Sequence, residues 1–196
     1  MADTDRNEEF IKEIRKQLGD YRFIHSLEVA KSAVQLAKRF GADEEKAYTA
    51  GILHDVLKDK SPEFLLDYFG KNGVRLTDVE KSNHKLYHAI AGSIYVEKEL
   101  GVNDEEIINA IRYHTTGRKN MSLLEKVIYI ADFISADRKY DGVERMREKA
   151  KISLETAMEE GLQFSIIELS EKLLPIHPDS IDAYNEIIMS KEKSDG

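Results

Sequence analysis

The chain contains no cysteine and no tryptophan, and it has only 3 prolines and 11 glycines among its 196 residues. Without cysteine the protein can form no disulfide, which is consistent with a reducing compartment. The same absence excludes every cysteine-based zinc site and every cysteine nucleophile, so a bound metal would have to use histidine, aspartate or glutamate. The scarcity of proline and glycine leaves little room for tight turns and favours a helical chain.

The sequence also lacks an excess of positive charge and a long apolar run. Its formal net charge is -8 at pH 7, which argues against a general nucleic-acid binder and against a protein that binds anionic membranes. No apolar stretch approaches the ~20 residues of a membrane-spanning helix, and the first residues, Met1 to Asp5, are too polar for a signal peptide. These features predict a cytoplasmic protein. A small anionic substrate stays compatible with the negative charge, because a bound metal can supply local positive charge.

Helical periodicity dominates the sequence. Apolar residues recur three and four positions apart through most segments, as on the buried face of a helix. Asp43, Ser61 and Thr77 stand immediately before such segments and have side chains that cap helix N-termini, and Pro62 follows at a first helical position. No repeat and no alternating strand pattern is present. The sequence therefore predicts an all-α fold.

The C-terminal part of the sequence also has helical spacing. The pattern predicts helices over 144–162 and 164–174, separated from a last helix over 180–189 by a proline-containing break. The final residues are polar and carry no apolar face. We therefore expect a single compact helical domain over residues 1–189 and a polar, disordered tail over residues 190–196.

The most informative local feature is the doublet His54-Asp55, which ends the apolar run Gly51–Leu53 and is followed by Lys58. Imidazole and carboxylate are ligands for zinc, manganese and iron, but a single doublet of this kind is weak evidence. Asp132 lies in a similarly apolar helical segment, where an unpaired carboxylate would be costly to bury. Four of the six histidines are also in apolar helical settings: His25, His54, His88 and His114.

Each of these residues also has an ordinary structural explanation. A histidine on an apolar face is more often a hydrogen-bonded core residue or a helix-end cap, and Asp132 could simply form a salt bridge with an arginine or lysine. Several such residues on different apolar helices are harder to explain separately. Coordination of a shared cation would compensate all of their burial costs together. The pattern therefore favours a metal site built from histidine and aspartate.

Other catalytic motifs fit the sequence poorly. His84 and His88 have the spacing of a zinc-protease helix, but Lys85 occupies the position where that motif needs its glutamate. The chain has no glycine-rich dinucleotide fingerprint, no phosphate loop and no serine nucleophile elbow. His84 lies in a polar stretch and is predicted to be exposed, and His177, in a loop, is predicted to be structural.

In the order of its motifs the chain resembles the HD-domain phosphohydrolase superfamily, and within it the YqeK-type proteins. The resemblance extends over residues 10–187. The chain departs from the family at Ala89, where glycine is common, and at Ser135–Asp137, where a Glu-Pro pair often precedes the later arginine. The segments that carry the resemblance are Arg22–Ala30, Gly51–Lys58, Leu86–Ala89, Ala110–Gly117, Tyr129–Ile134, Asp137-Arg138, Gly142–Glu144 with Arg147, and Ala183–Asn185.

The resemblance implies an all-α HD domain with a binuclear centre of two divalent transition-metal ions, usually iron, with manganese or another divalent metal as the alternative. It also implies symmetrical hydrolysis of diadenosine tetraphosphate to two ADP. The expected partner is then a small nucleotide, with ADP or GDP as a product-like ligand. Carried over by motif, the ligands would be His25, His54, Asp55 and Asp132 for one metal, and His88 and His114 with Asp55 as the bridge for the second.

Two cations bridged by a carboxylate can lower the pKa of a bound water from about 15.7 towards about 7, and the metal-bound hydroxide would then attack a phosphorus of the polyphosphate. Asp55 and Lys58 are the expected catalytic residues. Positive side chains and loop donors near the motifs would hold the phosphates. The predicted substrate-binding residues are Lys58, Thr115, Thr116, Gly117, Arg138 and Arg147.

The sequence leaves three functions open. The first is the symmetrical hydrolysis of dinucleoside tetraphosphates. The second belongs to another HD phosphohydrolase, acting on nucleoside monophosphates or on a signalling nucleotide. The third is that of a non-enzymatic nucleotide-binding regulator, which the two-metal ligand set and Lys58 disfavour because a structural metal would need no second site. Assembly into a homodimer also stays open.

Overall fold

A computed structural model of the chain describes residues 2–192, which form α-helices joined by short loops. Within that range there are eleven α-helices, one short 3₁₀ helix (His84–Leu86) and no β-strand, so the prediction of an all-α fold is confirmed. No helix of this range is long and apolar enough to cross a membrane. The helices are α1 (Ala2–Gln17), α2 (Asp20–Phe40), α3 (Glu44–Leu53), α4 (Pro62–Lys71), α5 (Asp78–Ser82), α6 (Tyr87–Lys98), α7 (Glu105–Tyr113), α8 (Leu123–Ile134), α9 (Val143–Ile152), α10 (Leu154–Glu171) and α11 (Pro178–Glu192).

Side chains at the helix N-termini confirm the predicted caps. The Asp43 carboxylate accepts hydrogen bonds from two backbone amides at the start of α3, and the Ser61 hydroxyl accepts one at the start of α4. Thr77 and Glu80 form a reciprocal capping box at α5. Each cap satisfies amides that have no partner inside the helix, and so it determines where the helix begins.

The break between α9 and α10 differs from the prediction. It lies at Ser153 and not near residue 163. The Ser153 backbone is extended, and its hydroxyl accepts a hydrogen bond from the amide of Thr156 at 3.0 Å, which caps α10. Gln163 has no capping geometry and lies inside α10, which continues without interruption to Glu171.

The C-terminal helix is longer than the sequence predicts. Helix α11 continues through Ser190 to Glu192, so the first residues of the predicted tail over 190–196 are helical. Residues 193–196 lie outside the described range. The predicted domain over residues 1–189 stays a prediction, although one hydrophobic cluster connects the helices from Phe10 in α1 to Ile187 in α11.

Helix α8 lies at the centre of this cluster. It packs against α2, α3, α7, α9 and α10. All five residues from Val127 to Ala131 are buried, which explains why this segment is apolar on every side rather than along one stripe. Asp132 follows directly, so the packing of its neighbours holds its partly buried carboxylate at the edge of the core.

Helices α2 and α3 approach each other closely at Gly51. A Cβ atom on Gly51 would lie 2.6 Å from the Cα atom of Ala30 in α2, so only the absence of a side chain permits this contact. The close packing brings His25 of α2 next to His54 at the end of α3, with ring centroids 5.4 Å apart. The backbone contact therefore positions two of the predicted metal ligands.

Candidate metal centre

Six side chains from five helices meet at one place in the core. The four histidines and Asp55 are almost entirely buried, and Asp132 is partly buried. Two of them, His25 and Asp132, are 107 positions apart in the chain. All the predicted metal ligands are thus brought together. This six-residue cluster consists of His25 of α2, His54 and Asp55 at the end of α3, His88 of α6, His114 at the end of α7 and Asp132 of α8.

Two of the histidines are held by carbonyl groups of their own helix. The Nδ1–H of His54 donates to the Gly51 carbonyl oxygen at 2.8 Å, and the Nδ1–H of His114 donates to the Ile111 carbonyl oxygen at 2.8 Å. These bonds fix the tautomer, so the Nε2 atom of each ring directs a lone pair into the cluster. His54 Nε2 is buried and has no hydrogen-bond partner within residues 2–192. Such a lone pair is available to a metal ion.

The Asp55 carboxylate lies between the histidines. Its Oδ1 atom is 3.0 Å from His88 Nε2 and 3.4 Å from His114 Nε2, and its Oδ2 atom is 3.7 Å from His54 Nε2. Despite these short distances, Oδ1 is buried without a well-formed hydrogen bond to any described residue. One carboxylate therefore faces ring nitrogens on both sides, which is the position expected of a bridging ligand.

His88 and His114 are too close for two unrelated core histidines. Their Nε2 atoms are 3.1 Å apart, and the ammonium group of Lys58 is 2.9 Å from His88 Nε2. A lysine ammonium only donates and an ionised carboxylate only accepts, so no single protonation state of His88 Nε2 suits both Lys58 and the Asp55 Oδ1 atom 3.0 Å from the same nitrogen. A metal ion bound to the ring nitrogens and the carboxylate would replace these conflicting contacts. This pair therefore fits a metal ion.

Carboxylates hold His25 on both sides. Its Nδ1 atom is 2.8 Å from Asp137 Oδ2, and its Nε2 atom is 2.9 Å from Asp132 Oδ1. The Arg138 guanidinium donates to both the carboxylate and the carbonyl oxygen of Asp132. The role of Asp137 was not predicted: it orients the His25 ring from outside the cluster, as carboxylates commonly do behind metal-binding histidines. The sequence indicates this role only through the Asp137-Arg138 pair, which is one of the segments that resemble the HD-domain family.

Burial keeps two histidines of the cluster neutral. It lowers the pKa of His54 to about 3 and that of His88 to about 4, although the negative charge of Asp55 opposes it. Both rings are therefore neutral at pH 7, as metal ligands must be. Burial by itself would raise the pKa of Asp55, but His54 and Lys58 outweigh it and hold the pKa of this carboxyl well below its ordinary value. Neutral imidazoles and an ionised carboxylate are the forms that bind metal.

The donor atoms of the cluster form three overlapping groups. In each group, one ligand atom from every residue lies within 4.8 Å of the others. The donors are imidazole and carboxylate without thiolate, a set that suits iron, manganese and zinc. The protein is therefore able to bind metal ions at the six-residue cluster. The groups are His25, His54 and Asp55; His54, His114 and Asp132; and Asp55, His88 and His114.

Three of the predicted substrate-binding residues lie at the cluster or beside it. The Lys58 ammonium is 3.5 Å from Asp55 Oδ1, and Thr115 and Arg138 line a cleft next to the cluster. Arg22, which the sequence did not single out, is also close, with one guanidinium nitrogen 3.7 Å from Asp55 Oδ2. Its position in the motif that contains His25 is the signal that could have found it.

The other three predicted substrate-binding residues support loops and do not line this cleft. Thr116 is buried, and its hydroxyl donates to the Gly117 carbonyl oxygen at 2.8 Å. Gly117 has a φ of 64°, which glycine adopts without strain, and it packs against the C-terminal helices. The Arg147 guanidinium donates to three backbone carbonyl oxygens in the turn 134–138. It therefore braces the turn that follows α8.

A cleft of about 340 Å³ opens beside the cluster. This volume is at the lower end of the range for small-molecule sites. A larger groove of about 590 Å³, between α2 and α9, contains none of the six cluster residues. The smaller cleft therefore adjoins the candidate chemistry. Its walls include His114 and Asp132 of the cluster, Arg138 and Tyr140 of the turn after α8, and Phe164 and Glu168 of α10.

The two remaining histidines lie apart from the cluster. His84 is exposed in the 3₁₀ helix, as predicted. His177 accepts a hydrogen bond from the amide of Asp179 at 3.2 Å, which places it at the start of α11. This capping contact agrees with the structural role predicted for His177.

Comparison with known families agrees with this geometry. A family model of the HD domain matches residues 22–137, the range that contains the whole six-residue cluster. The chain therefore belongs to the HD-domain family, and the resemblance found in the sequence is confirmed.

Relatives within this family have a more specific name. The chain is 38% identical to a protein of Bacillus subtilis named symmetrical bis(5'-nucleosyl)-tetraphosphatase, over 92% of this chain and 97% of the relative. A Halalkalibacterium halodurans protein of the same name is 37% identical, over 91% of this chain and 95% of the relative. A crystal structure from Clostridium acetobutylicum, of a predicted HD superfamily hydrolase involved in NAD metabolism, is 38% identical. It superimposes with a TM-score of 0.90 over 93% of this chain and 97% of that chain.

Proposed function

We propose that the protein is a metal-dependent hydrolase that cleaves diadenosine tetraphosphate symmetrically into two ADP. The observation that carries this proposal is the six-residue cluster, in which the buried carboxylate of Asp55 faces histidines on both sides and lies beside Lys58 and Arg22. This arrangement suits attack on a phosphoryl group whose negative charge must be neutralised. Relatives that are 37–38% identical over 91–92% of the chain have names for the same reaction.

We infer that the cluster holds two divalent transition-metal ions, with iron as the proposed metal and manganese as the alternative. When bound, the two ions supply activation of a water molecule and screening of the phosphate charge. The imidazole and carboxylate donors are compatible with either metal. The proposed ligands are His25, His54, Asp55 and Asp132 for one ion, and His88 and His114, with Asp55 as the bridge, for the other.

Cations of the chain itself would bind the phosphates. The Lys58 ammonium, 3.5 Å from Asp55 Oδ1, can donate to an oxygen of the phosphate under attack. Arg138 forms an ion pair with Asp132 and lines the cleft, and its planar guanidinium can bind phosphates further along the substrate. We infer from the name of the relatives, not from these contacts, that an inner phosphorus lies at the cluster, with a whole ADP as the leaving group.

The proposed partner is accordingly a small nucleotide. The net charge of -8 disfavours a nucleic acid, because no excess of basic residues is available for a phosphate backbone. The absence of cysteine and the acidic composition support the proposal that the protein is cytoplasmic.

A product analysis in isotopically labelled water tests the reaction. With diadenosine tetraphosphate we expect ADP as the sole initial product, with one labelled oxygen in one of the two ADP molecules, because water attacks an inner phosphorus. Chromatography and mass spectrometry of an early time course would measure this. ATP and AMP in equal amounts would show that a different phosphorus is attacked. No turnover of this substrate, together with rapid phosphate release from a mononucleotide, would favour the alternative HD phosphohydrolase.

A further inference from the structure

Three aromatic side chains form a wall beside the six-residue cluster. Phe133 of α8, Tyr140 of the following turn and Phe164 of α10 contact one another. The ring centroids of Tyr140 and Phe164 are 5.4 Å apart, and those of Phe133 and Phe164 are 6.3 Å apart. Phe164 leaves 37% of its surface exposed, although phenylalanine is among the residues most often buried. The wall thus presents an aromatic surface that other protein atoms do not cover.

This aromatic wall borders the same cleft as the cluster. The cleft contains Tyr140 and Phe164 together with His114, Asp132 and Arg138. Its volume of about 340 Å³ suits one nucleoside and is too small for a whole dinucleoside tetraphosphate. A nucleotide whose phosphates reach the cluster would therefore pass Arg138 and place its nucleoside against the aromatic wall.

Polar groups accompany the aromatic surface. Ser165 and Glu168 of α10 line the same cleft as Phe164, and a carboxylate can accept hydrogen bonds from the amino group of a base. An aromatic face with hydrogen-bonding groups at its edge is the usual environment of a nucleobase.

We propose that this cleft is a nucleobase site, in which one purine stacks against Phe164 and Tyr140 while its phosphates extend past Arg138 to the six-residue cluster. The proposal rests on the proposed function, because it requires a nucleotide with phosphates at the cluster. It assigns to Phe164 and Tyr140 the selection of substrates that contain a base. Inorganic polyphosphate, which has no base, would lack this contact.

The absence of tryptophan from the chain allows a direct test. Phe164→Trp would introduce the one indole of the protein on the aromatic wall. In the metal-loaded protein, we expect ADP to quench its fluorescence, because a stacked purine contacts the indole, and pyrophosphate to leave it almost unchanged. Phe64→Trp is the matched control, since Phe64 of α4 is also partly exposed and does not line the cleft; ADP should not quench its fluorescence.

A second variant measures the contribution to binding. Stacking of a base on an aromatic side chain contributes on the order of 1–3 kcal/mol. Phe164→Ala should therefore weaken ADP binding in titration calorimetry by about 5- to 150-fold, and leave pyrophosphate binding within about twofold. Phe64→Ala should bind both as the wild type does.

Two results would overturn the nucleobase site: equal quenching by ADP and pyrophosphate, or no quenching at ADP concentrations that saturate the protein in calorimetry. The proposed function is judged separately, from the products of the wild-type protein. Specific quenching by ADP without hydrolysis of diadenosine tetraphosphate would support the nucleobase site and contradict the reaction. Symmetrical hydrolysis without specific quenching would support the reaction and contradict the nucleobase site.

Discussion

Among single residues, Asp55 has the largest influence on the candidate centre. Its carboxylate lies within 3.0–3.7 Å of three histidine nitrogens and of the Lys58 ammonium, yet it is buried. An ionised carboxylate in the interior is stable only when cations or donors compensate for its lost hydration. Because this one group faces both halves of the cluster, its loss would disturb both proposed metals.

We expect Asp55→Asn to lose at least ~100-fold in kcat/KM and to bind less metal, since changes outside the ligand shell already cost about 10–100-fold. The substitution keeps the size of the side chain and removes its charge. Steady-state kinetics with diadenosine tetraphosphate, and elemental analysis of the same samples, would measure both effects. Asp78→Asn is the control, because the Asp78 side chain is 99% exposed. An Asp55→Asn protein that is folded, fully metallated and active would contradict the proposed bridge.

Asp137 acts on the centre through His25. Its carboxylate accepts the Nδ1–H of His25 at 2.8 Å and so directs Nε2 towards Asp132. Asp137→Ala should weaken metal binding by about 10–100-fold. Asp137→Asn should be less affected, since the amide oxygen can still accept this hydrogen bond.

Competition with a chelator of known affinity would measure this difference. Asp141→Ala, an exposed aspartate in the adjacent turn, provides the matched control. Metal affinity in Asp137→Ala equal to that of the wild type would show that packing alone orients His25.

At the scale of helices, the same local arrangement occurs twice. His54 and His114 each follow the last residue of a helix, and each donates Nδ1–H to the carbonyl oxygen three residues earlier. The final carbonyl groups of a helix have no amide partner within it. A histidine at this position satisfies one of them and directs its other nitrogen away from the helix. The ends of α3 and α7 therefore serve as rigid supports for ligands.

The contact between α2 and α3 determines how closely His25 approaches His54. Gly51→Ala would place a Cβ atom 2.6 Å from Ala30 Cα, and backbone cannot move aside as a side chain can. We expect a loss of about 1–3 kcal/mol in the free energy of unfolding, with a melting temperature lower by several degrees and weaker metal binding.

Gly70→Ala in α4 is the matched control for this substitution, since nothing lies within 4 Å of its added Cβ atom. Because alanine favours a helix interior more than glycine does, this variant should be as stable as the wild type or slightly more stable. Chemical denaturation of both variants would measure the difference. Equal stability of the two would show that α2 and α3 can separate without cost.

Considered as a whole, the molecule is an acidic helical protein with a concentration of polar groups at its centre. Histidines and carboxylates interrupt the hydrophobic cluster where α2, α3, α6, α7 and α8 meet. Metal binding to the folded state alone would stabilise the fold through mass action. Metal content and global stability are therefore linked.

We expect two divalent ions per chain by elemental analysis after anaerobic purification with iron, and a lower melting temperature after chelation. A site saturated at about 100 times its Kd adds about 2.7 kcal/mol, which corresponds to a shift of at least ~5 °C in a protein of this size. Readdition of iron or manganese should restore the melting temperature. One ion or none per chain, despite supplementation, would contradict the binuclear assignment.

Features that depend on residues close together in the chain could be predicted from the sequence. Helix starts at Asp43, Ser61 and Thr77 were predictable, because a cap involves groups only two or three positions apart. The six candidate ligands were also predictable, since imidazoles and carboxylates in apolar segments need a common explanation and their order matches a known family. The break at Ser153 was missed, because the apolar spacing continues across it and weakly distinguishes one long helix from two.

Which distant groups meet depends on the three-dimensional packing of the helices. Asp137 contacts His25 across 112 positions, and the aromatic wall combines Phe164 of α10 with residues of α8 and the turn after it. The sequence around Arg147 does not show whether its guanidinium contacts a phosphate, water or backbone carbonyl groups. In the structure it donates to backbone carbonyl groups. Such contacts depend on how helices pack, and packing is determined by the summed fit of many side chains rather than by any local pattern.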